Sequence, residues 1–452
     1  MSPSQNQQMV KIGNIGLGEE KPVVIQSMTN TDTNDVSATV AQSKRMIEAG
    51  CQLVRITVPT MKEVPAIAAI KEQLRAEGYE TPLVADVHYN PEVADACAAI
   101  VEKVRINPGN YVDKRKFQKL DLTEDEYRAS LQAMADRAKP LIEICKQHGT
   151  ALRIGVNHGS LCDRIVSRYG NTPKAMAMSA MEWIDICQQF DFHNVVFSIK
   201  SSNVVSMTEA TMLLWEMMHK NGTVYPLHIG VTEAGAGDEG RIKSAAGIGT
   251  LLLNGIGDTI RVSLTEPPEN EVVFAKILVD VLQNQPASLH LLRNRNELTI
   301  CCDEPDRTRW MALAAAHAAN AHHQQKIKNL SLENQHFTQE ENQDLADKIL
   351  QACRIKMSQT EFISCPSCGR TQYDIQTALA KVKARFSGHP DLKIGVMGCV
   401  VNGPGEMADA DFGIVGAGNG KVIVFKQNER LSAPLPIDQA LDELERLLAN
   451  RK

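Results

Sequence analysis

Short runs of aliphatic and β-branched residues alternate with helix-length segments through the first 265 residues. Eight such runs follow one another, and their starts lie about 20 to 48 residues apart, which leaves room for a loop and a helix after each. Strands that alternate with helices form parallel βαβ units, and eight units in succession close a (β/α)8 barrel. The pattern therefore predicts an α/β chain with a TIM barrel over residues 10–285. The predicted strands span residues 23–27, 53–57, 83–88, 104–107, 152–157, 195–200, 227–232 and 259–263.

Polar residues occur at alternate positions late in these runs. Because side chains alternate between the two faces of a strand, Val54 and Ile56 point one way and Arg55 points the other. The apolar set suits the layer between strands and outer helices, so the polar set should face the interior, near the mouth where TIM-barrel active sites lie. The predicted inward set is Arg55, Asp86, His88, Arg105, Asn107, Arg153, Asn157, Ser198, Lys200, His228, Thr232, Arg261 and Ser263.

Five of the inward residues are cations. A single arginine could end an edge strand and reach solvent, but five on the same parity indicate one shared site. Like charges repel strongly at low dielectric, so an anion with several charges should lie among them. Forked guanidinium groups suit phosphate oxygens, and we expect a small molecule that carries a diphosphate. The cations are Arg55, Arg105, Arg153, Lys200 and Arg261.

A glycine-rich segment follows the seventh run, at residues 233–240. Three of its glycines match the G-x-G-x-x-G pattern, but a lone match is weak, and a dinucleotide-binding turn belongs in the first βα unit of an open sheet. We therefore favour a loop near the phosphate, followed by a helix from about Arg241. Candidates for proton transfer at the same mouth, each of which could instead be a structural hydrogen-bonding residue, are Asp86, His88, His228 and Glu233.

Residues 286–350 break the pattern and are predicted to be an insert or linker of unknown role. Two short strands and an alanine-rich helix are expected there, followed by a polar loop over residues 330–342. The helix carries His317, His322 and His323, and Cys301 and Cys302 are adjacent, which invites a metal site. Because no ligand spacing repeats, we favour an ordinary polar insert.

A small α/β module is predicted over residues 351–452, and two of its loops carry chemistry. Cys365 and Cys368 form a Cys-x2-Cys pair on one turn, and Cys399 follows about 30 residues later in a Gly/Pro-rich loop. A zinc ribbon would need a second such pair, whereas three cysteines suit a [4Fe–4S] cluster with one iron not held by cysteine. Glu406 could occupy that position as a weak, exchangeable ligand. The alternatives are a thioredoxin-like pair and a structural zinc site that uses Cys353 or His389.

Composition narrows the class of protein. The net charge of −6 and an aromatic content of 4% argue against a nucleic-acid surface, which needs a basic face with stacking platforms. No run approaches the ~20 apolar residues that span a bilayer, and the first eight residues lack the apolar core of a signal peptide. Eleven cysteines in 452 residues are far fewer than in a secreted disulfide scaffold. We expect a soluble, cytoplasmic protein with reduced cysteines.

Five segments together carry a resemblance to a known family. The chain resembles the bacterial 4-hydroxy-3-methylbut-2-enyl-diphosphate synthases, iron–sulfur enzymes of the methylerythritol phosphate route to isoprenoids. The resemblance covers about residues 10–285 and 350–430, and long matches in both parts make it specific. The segments are 26–31 (Gln-Ser-Met-Thr-Asn-Thr), 105–110 (Arg-Ile-Asn-Pro-Gly-Asn), 155–161 (Gly-Val-Asn-His-Gly-Ser-Leu), 232–235 (Thr-Glu-Ala-Gly) and 398–406 (Gly-Cys-Val-Val-Asn-Gly-Pro-Gly-Glu).

The resemblance implies a role for each part of the chain. The family joins a barrel to a [4Fe–4S] module, and its ligands would fall on Cys365, Cys368, Cys399 and Glu406. The substrate would be 2-C-methyl-D-erythritol 2,4-cyclodiphosphate, reduced by two electrons with loss of water. Asp86, Asn157 and Glu233 would line the reacting end, with Glu233 as a proton donor. The diphosphate would be held by Arg55, His88, Arg105, Arg153, Lys200, Arg261 and Ser263.

The resemblance also implies partners. A flavodoxin or ferredoxin would supply electrons, since no flavin or nicotinamide site is evident in the chain, and the cluster module of one subunit would cap the barrel of the other in a head-to-tail homodimer. Two rival interpretations are a non-redox phosphate-ester lyase or synthase with a structural metal, and an iron–sulfur carrier or sensor. The carrier leaves the five inward cations unexplained.

Overall fold

The computed structural model describes residues 7–18, 21–113, 116, 118–400 and 403–449. The chain divides into two compact units. The first consists of Met1–Lys200, Glu209–Ile229 and Gly255–Arg261. The second consists of Ser201–Thr208, Gly230–Asn254 and Val262–Lys452.

An eight-stranded parallel sheet forms the centre of the first unit. An isolated parallel bridge between Phe197 and Leu227 joins its two ends, so the sheet closes into a barrel. The predicted TIM barrel is confirmed. The strands are β3 (Val24–Met28), β4 (Leu53–Thr57), β5 (Leu83–Asp86), β6 (Lys103–Ile106), β7 (Ala151–Asn157), β8 (Val195–Lys200), β9 (His228–Ile229) and β10 (Thr259–Ile260).

A short hairpin closes the amino-terminal end of the barrel. Its strands, β1 (Val10–Ile12) and β2 (Ile15–Leu17), pair antiparallel. Their apolar side chains pack in one hydrophobic core with inward residues at or near the start of five barrel strands. The members of that core are Val10, Ile12, Leu17, Val24, Leu53, Val84, Ala151 and Val196. The floor of the barrel is therefore largely apolar, and most of the polar residues lie above it.

The helices of the barrel sequence begin and end at recognisable caps. Asp35 caps the first helix, which ends at the left-handed Gly50 with a φ of 111°. A capping box formed by Thr123 and Glu126 starts the longest one. The helices are α1 (Val36–Ala49), α2 (Val64–Ala76), α3 (Pro91–Ala98), α4 (Pro108–Tyr111), α5 (Glu124–His148), α6 (Asp163–Tyr169), α7 (Pro173–Gln189), α8 (Val204–Lys220), α9 (Gly237–Leu253) and α10 (Pro268–Gln283).

The segment between the barrel sequence and the C-terminal module is folded. Three strands, β11 (His290–Asn294), β12 (Glu297–Cys301) and β13 (Asn329–Glu333), form a sheet, and the helices α11 (Arg307–Gln325) and α12 (Gln339–Ala352) follow β12 and β13. The loop predicted over residues 330–342 is wrong. Leu330 and Leu332 alternate with exposed residues as in a strand, and a capping box between Thr338 and Glu341 starts α12.

The second unit ends in a five-stranded sheet. Its first three strands are parallel and the last two antiparallel, and the predicted hairpin lies between β16 and β17. The strands are β14 (Glu361–Ser364), β15 (Lys393–Met397), β16 (Phe412–Gly416), β17 (Val422–Lys426) and β18 (Glu429–Arg430). The helices are α13 (Ile375–Phe386), α14 (Gly403–Glu406) and α15 (Ile437–Ala449). Of the helices described, none is both long and apolar enough to cross a bilayer.

Helices α9 and α11 of the second unit pack closely against each other. A Cβ atom added at Gly249 would lie 2.3 Å from the Cβ of Ala316 and 3.0 Å from its Cα, so the two helices can approach only because residue 249 is glycine. Most side chains of both helices are buried. Helix α9 belongs to the barrel sequence and α11 to the predicted insert, so the insert contributes directly to covering α9.

We predict that Gly249→Ala lowers the free energy of unfolding by about 1–3 kcal/mol, because the new methyl forces α9 and α11 apart. The higher helix propensity of alanine, worth about 1 kcal/mol, offsets part of this loss. The shift in urea midpoint measures the effect. Gly388→Ala is the control, since a Cβ there has no neighbour within 4 Å. Equal midpoints for the two variants would contradict the close packing.

Candidate functional site

The five predicted cations are buried inside the barrel unit. Each is less than one tenth exposed, and Arg153 is only 1% exposed. Burial, followed by repulsion from Arg55 and Arg105, holds the pKa of Arg153 well below its usual value. These side chains do not reach solvent from strand ends, and the four arginines among them repel one another.

Asp86 is the carboxylate that opposes this charge. Its Oδ1 accepts hydrogen bonds from Arg55 Nη2 at 2.7 Å and from Arg105 Nη1 at 3.0 Å. Burial lowers the pKa of Arg55 to about 10 despite the attraction of Asp86, with further contributions from Arg105 and Arg261. One carboxylate between two guanidinium groups orients them without neutralising the set.

Several guanidinium donors have no acceptor. Among the residues that the structure describes, no hydrogen-bond partner lies within reach of Arg55 Nε, Arg105 Nε or Arg153 Nη1, although all three atoms are buried. A buried donor without a partner costs about 1–3 kcal/mol, and more when it is charged. An anion with several oxygens would satisfy these donors and offset the positive charge. The chemistry of the mouth therefore fits a polyphosphorylated ligand.

Arg105 is held in place by its neighbours. Its Nη2 donates to the carbonyl oxygen of Gly155 at 3.0 Å, and its Nη1 lies 3.3 Å from His88 Nδ1. A Cβ at residue 155 would lie 2.4 Å from Arg105 Nε, so only glycine leaves space for the guanidinium group. On its other side, His88 Nε2 lies 3.1 Å from the amide nitrogen of Asn107 and 3.0 Å from that of Asn110. His88 thus links Arg105 to an amide pair.

Other predicted residues of the barrel unit are buried as expected. Asn157 ends β7, and its side chain accepts from the backbone N–H of Gly159 at 3.3 Å. His228 is fully buried, and its Nδ1 lies 3.4 Å from Thr259 Oγ1. Burial, followed by repulsion from Arg153 and Lys200, holds the pKa of His228 well below 6.5, so the ring is neutral.

Glu233 and Ser263 belong to the second unit. Both are buried, and Glu233 has a φ of 49°, which is uncommon outside glycine and asparagine. The next residue, Ala234, forms a parallel bridge with Ser364 at the end of β14. The Glu233 carboxylate lies close enough to Cys365 to contribute to raising the pKa of that thiol. The structure therefore brings Glu233 next to the cysteine loops.

The three predicted ligand cysteines follow two neighbouring parallel strands. Cys365 and Cys368 follow β14, and Cys399 follows β15. Burial raises the pKa of Cys365 most, and the nearby sulfurs of Cys368 and Cys399 raise it further. Backbone N–H groups donate to two of the sulfurs, from Gly398 to Cys365 at 3.1 Å and from Arg370 to Cys368 at 3.4 Å. Such N–H···S bonds stabilise thiolates and tune iron–sulfur centres.

The chemistry of this donor set fits an iron–sulfur centre, since its three thiols lie in loops that follow neighbouring strands. In the described part of the chain, no three His, Cys, Asp or Glu side chains surround one metal position. Each cysteine of a [4Fe–4S] cluster binds a different iron, so its ligands need only enclose a larger group. The buried thiol of Cys365, whose pKa is raised, and the two cysteines beside it would be stabilised as thiolates by such a cationic centre. The predicted fourth ligand, Glu406, is buried at the end of α14, and residues 401 and 402 of the same loop lie outside the described residues.

Two family models match the chain. The model described as the GcpE TIM-barrel domain matches residues 7–276, and that of the GcpE protein C-terminal domain matches residues 361–450. The chain belongs to the GcpE family. The cation-lined strands fall in the first GcpE domain and the cysteine loops in the second.

The similarity to other proteins extends over nearly the whole length of this GcpE chain. A protein from Bacteroides fragilis is 38% identical over 591 aligned positions, which cover 97% of this chain and 94% of the relative, and it is named 4-hydroxy-3-methylbut-2-en-1-yl diphosphate synthase (flavodoxin). One from Prochlorococcus marinus is 39% identical over 441 positions, covering 97% and 91%, and its name gives ferredoxin instead. Among solved structures, a dihydropteroate synthase from Stenotrophomonas maltophilia aligns with 62% of this chain and all of its own, at 11% identity and a TM-score of 0.41, too low for any conclusion about function.

Several polar residues around the buried cations of this GcpE chain were not predicted from its sequence. Lys103 and Gln26 are buried, and Lys103 Nζ donates to Gln26 Oε1 at 3.0 Å. Lys103 could have been found from the alternation of side chains, since it lies two residues before Arg105 on the same face of β6. The predicted strand, however, began one residue too late to include it. Asn110 and Ser160 were missed because they lie in helical segments of only four and three residues, which are too short for a period to identify a face.

A buried ion network connects the cysteine strand to α9 and to the segment after Glu406. Lys243 Nζ donates to Glu361 Oε1 at 3.1 Å, and Arg354 bridges Glu361 at 3.1 Å and Asp409 at 2.6 Å. Burial alone would raise the pKa of Glu361, but Lys243 and Arg354 outweigh it and lower the pKa to about 2. Because Glu361 begins β14 and Asp409 lies three residues after Glu406, the network fixes both sides of the cysteine site.

We predict a stability contribution from Glu361 that depends on pH. Its pKa is depressed in the folded state, so the contribution is present above the unfolded value of about 4.5 and is lost as the pH falls towards 2. Glu361→Gln should therefore melt well below the wild type at pH 7, with a difference that shrinks below about pH 4.5. Differential scanning fluorimetry between pH 3 and 7 measures it. The exposed Glu429→Gln is the control, and a constant difference for Glu361→Gln would contradict the depressed pKa.

Proposed function

We infer that this GcpE chain is an enzyme of isoprenoid biosynthesis that forms 4-hydroxy-3-methylbut-2-enyl diphosphate from 2-C-methyl-D-erythritol 2,4-cyclodiphosphate. The reaction consumes two electrons and two protons, breaks the ring at a carbon–oxygen bond and releases one water. The observation that carries this proposal is the combination, in one chain, of a buried cationic mouth and three adjacent cysteines. An electron carrier would leave the buried cations unexplained.

The barrel residues hold the diphosphate in this proposal. The unpaired donors of Arg55, Arg105 and Arg153 bind phosphate oxygens, which removes the cost of burying them without a partner. Asp86 keeps two of these guanidinium groups in the orientation that the anion needs. The remaining contacts to the diphosphate come from His88, Lys200, Arg261 and Ser263.

The reacting end of the substrate is lined by Asp86, Asn157 and Glu233. Glu233 is the proton donor because it is a buried carboxyl group in the loop that follows β9, and barrel enzymes place catalytic residues in such loops. Its positive φ supports this role, since backbone strain is concentrated at functional positions. Asn157 can orient an oxygen of the substrate through its amide group.

The cofactor in this proposal is a [4Fe–4S] cluster held by Cys365, Cys368, Cys399 and Glu406. When bound, the cluster supplies two electrons one at a time. The two cysteine loops provide thiolates and N–H···S bonds, and Glu406 provides a carboxylate that exchanges more easily than a thiolate. The buried network around Glu361 keeps these loops at a fixed separation.

The proposal also includes an electron donor, a cellular location and an organisation of the chain. A flavodoxin or ferredoxin delivers the electrons, as the names of the relatives indicate for those proteins. All eleven cysteines are free of disulfides, which supports a reducing, cytoplasmic location. We retain the division into a barrel domain over 10–285, an insert over 286–350 and a cluster domain over 351–452, and the head-to-tail homodimer. We propose no nucleic-acid or membrane partner.

We predict that Cys399→Ser loses both the iron and the turnover of the anaerobically purified protein, because a serine hydroxyl is a poor ligand for iron. Iron content, the EPR spectrum of the reduced protein, and product formed from the cyclodiphosphate with reduced flavodoxin measure the loss. Cys301→Ser is the matched control, since Cys301 lies in the insert and should retain both. Full activity in Cys399→Ser, or wild-type protein that takes up no iron, would overturn the proposed function.

We predict that two inactive variants restore activity when they are mixed. In a head-to-tail dimer, each site combines the barrel of one chain with the cluster of the other, so a dimer of Arg261→Met and Cys399→Ser contains one intact site. Random exchange of subunits then gives about a quarter of the wild-type activity. Activity after unfolding and refolding the two together measures this. No restoration, with dimers present by light scattering, would contradict the shared site.

A further inference from the structure

Lys103 lies beneath the arginines, on the floor of the barrel. It begins β6, where its register partners are Val84 on β5 and Ala151 on β7. Both partners belong to the apolar core that the amino-terminal hairpin closes. Lys103 has no exposed surface, and its side chain extends on the same face of β6 as Arg105. Lys103 therefore lies between this apolar core and the guanidinium groups of the arginines.

The immediate partner of Lys103 is a neutral amide. Its Nζ donates to Gln26 Oε1 at 3.0 Å, and among the described residues the Nε2 of Gln26 has no hydrogen-bond acceptor. The nearby carboxylate, Asp86, is already bonded to Arg55 and Arg105. The ammonium form of Lys103 is therefore buried without a counter-ion.

Charged and titratable groups face Lys103 from the other strands of the barrel. Arg55 on β4 and Arg153 on β7 both repel its ammonium group, and His228 on β9 lies within electrostatic reach. Burial first, and then this repulsion, holds the pKa of Lys103 well below its usual value. The remaining groups of the same interior are Asp86 on β5, Arg105 on β6, Lys200 on β8 and Arg261 after β10.

Lysine and arginine respond differently to such crowding. Guanidinium groups stay protonated in proteins, so the arginines cannot relieve the repulsion by losing a proton, whereas a buried amine can. In the anion-free barrel, Lys103, which is buried without a counter-ion, can thus relieve the repulsion by giving up its proton. A polyanion among the arginines reverses the sign of the local potential and favours the ammonium form again.

We propose that Lys103 is a further binding residue of the diphosphate site, and that its amine takes up one proton from solvent when the anion enters the barrel. The proton forms the third N–H bond of the ammonium group, and no other bond changes. The ligand does not supply it, because each phosphorus of a cyclic diphosphate carries one strongly acidic hydroxyl that is already ionised near neutral pH. The inference rests on the proposed function for the identity of this ligand.

Isothermal titration calorimetry of the anaerobic holoenzyme with the cyclodiphosphate tests the proposal. Titrations at one pH in PIPES and in Tris, whose ionisation enthalpies differ, should give different observed heats in the wild type, corresponding to uptake of about one proton. The dissociation constant should rise about tenfold per pH unit between the pKa of Lys103 in the free and bound states, because binding and protonation are linked.

Two variants assign the proton. Lys103→Met and the permanently charged Lys103→Arg should bind with heats that do not depend on the buffer, whereas His228→Asn should keep the wild-type uptake. Heats that are independent of buffer in the wild type overturn the proposal even if neither lysine variant folds. Uptake retained in Lys103→Met, or lost only in His228→Asn, overturns it as well. Absence of any binding to the wild type would instead count against the proposed function.

Discussion

Positive charge enclosed by the barrel is the constraint on which the rest of the structure depends. Four arginines and two lysines are buried on the interior faces of the strands, with Asp86 bonded between two of them. A fold can hold such a set only where the surrounding framework is stable enough to offset the repulsion. The closed sheet and the apolar floor provide that framework, and the unsatisfied donors give the interior a strong preference for a multiply charged anion.

The alternation of side chains made much of this barrel predictable. Runs such as residues 53–57 combine β-branched character with one inward arginine, so strand, face and chemistry could be inferred together. The Cys-x2-Cys pair and Cys399 were equally accessible, because ligand chemistry depends on residue type and spacing more than on packing. The short hairpin strands at the amino terminus were not predicted, since three residues carry no measurable period.

Contacts between distant parts of the chain could not be predicted from sequence. Lys243 and Glu361 are 118 residues apart, and neither has a neighbour in sequence that marks it as a partner of the other. The prediction of a loop over residues 330–342 was wrong for a related reason. Leu330 and Leu332 belong to a strand because they pair with β12, and this pairing is not visible in the local sequence. Tertiary pairing decided both, and a local pattern contains no information about it.

The packing of α11 on α9 has a consequence for biosynthesis. Helix α9 is buried over most of its surface, in part by α11. The last residue of α11, Gln325, lies 72 residues after the last residue of α9, Leu253. At ~5–20 residues per second, the ribosome needs roughly 4 to 14 s to add that stretch. During this interval the nascent chain carries a helix whose apolar surface lacks the part of its cover that α11 provides. Expression of this protein should therefore be sensitive to the supply of chaperones that bind nascent chains, and less so to those that act on finished proteins.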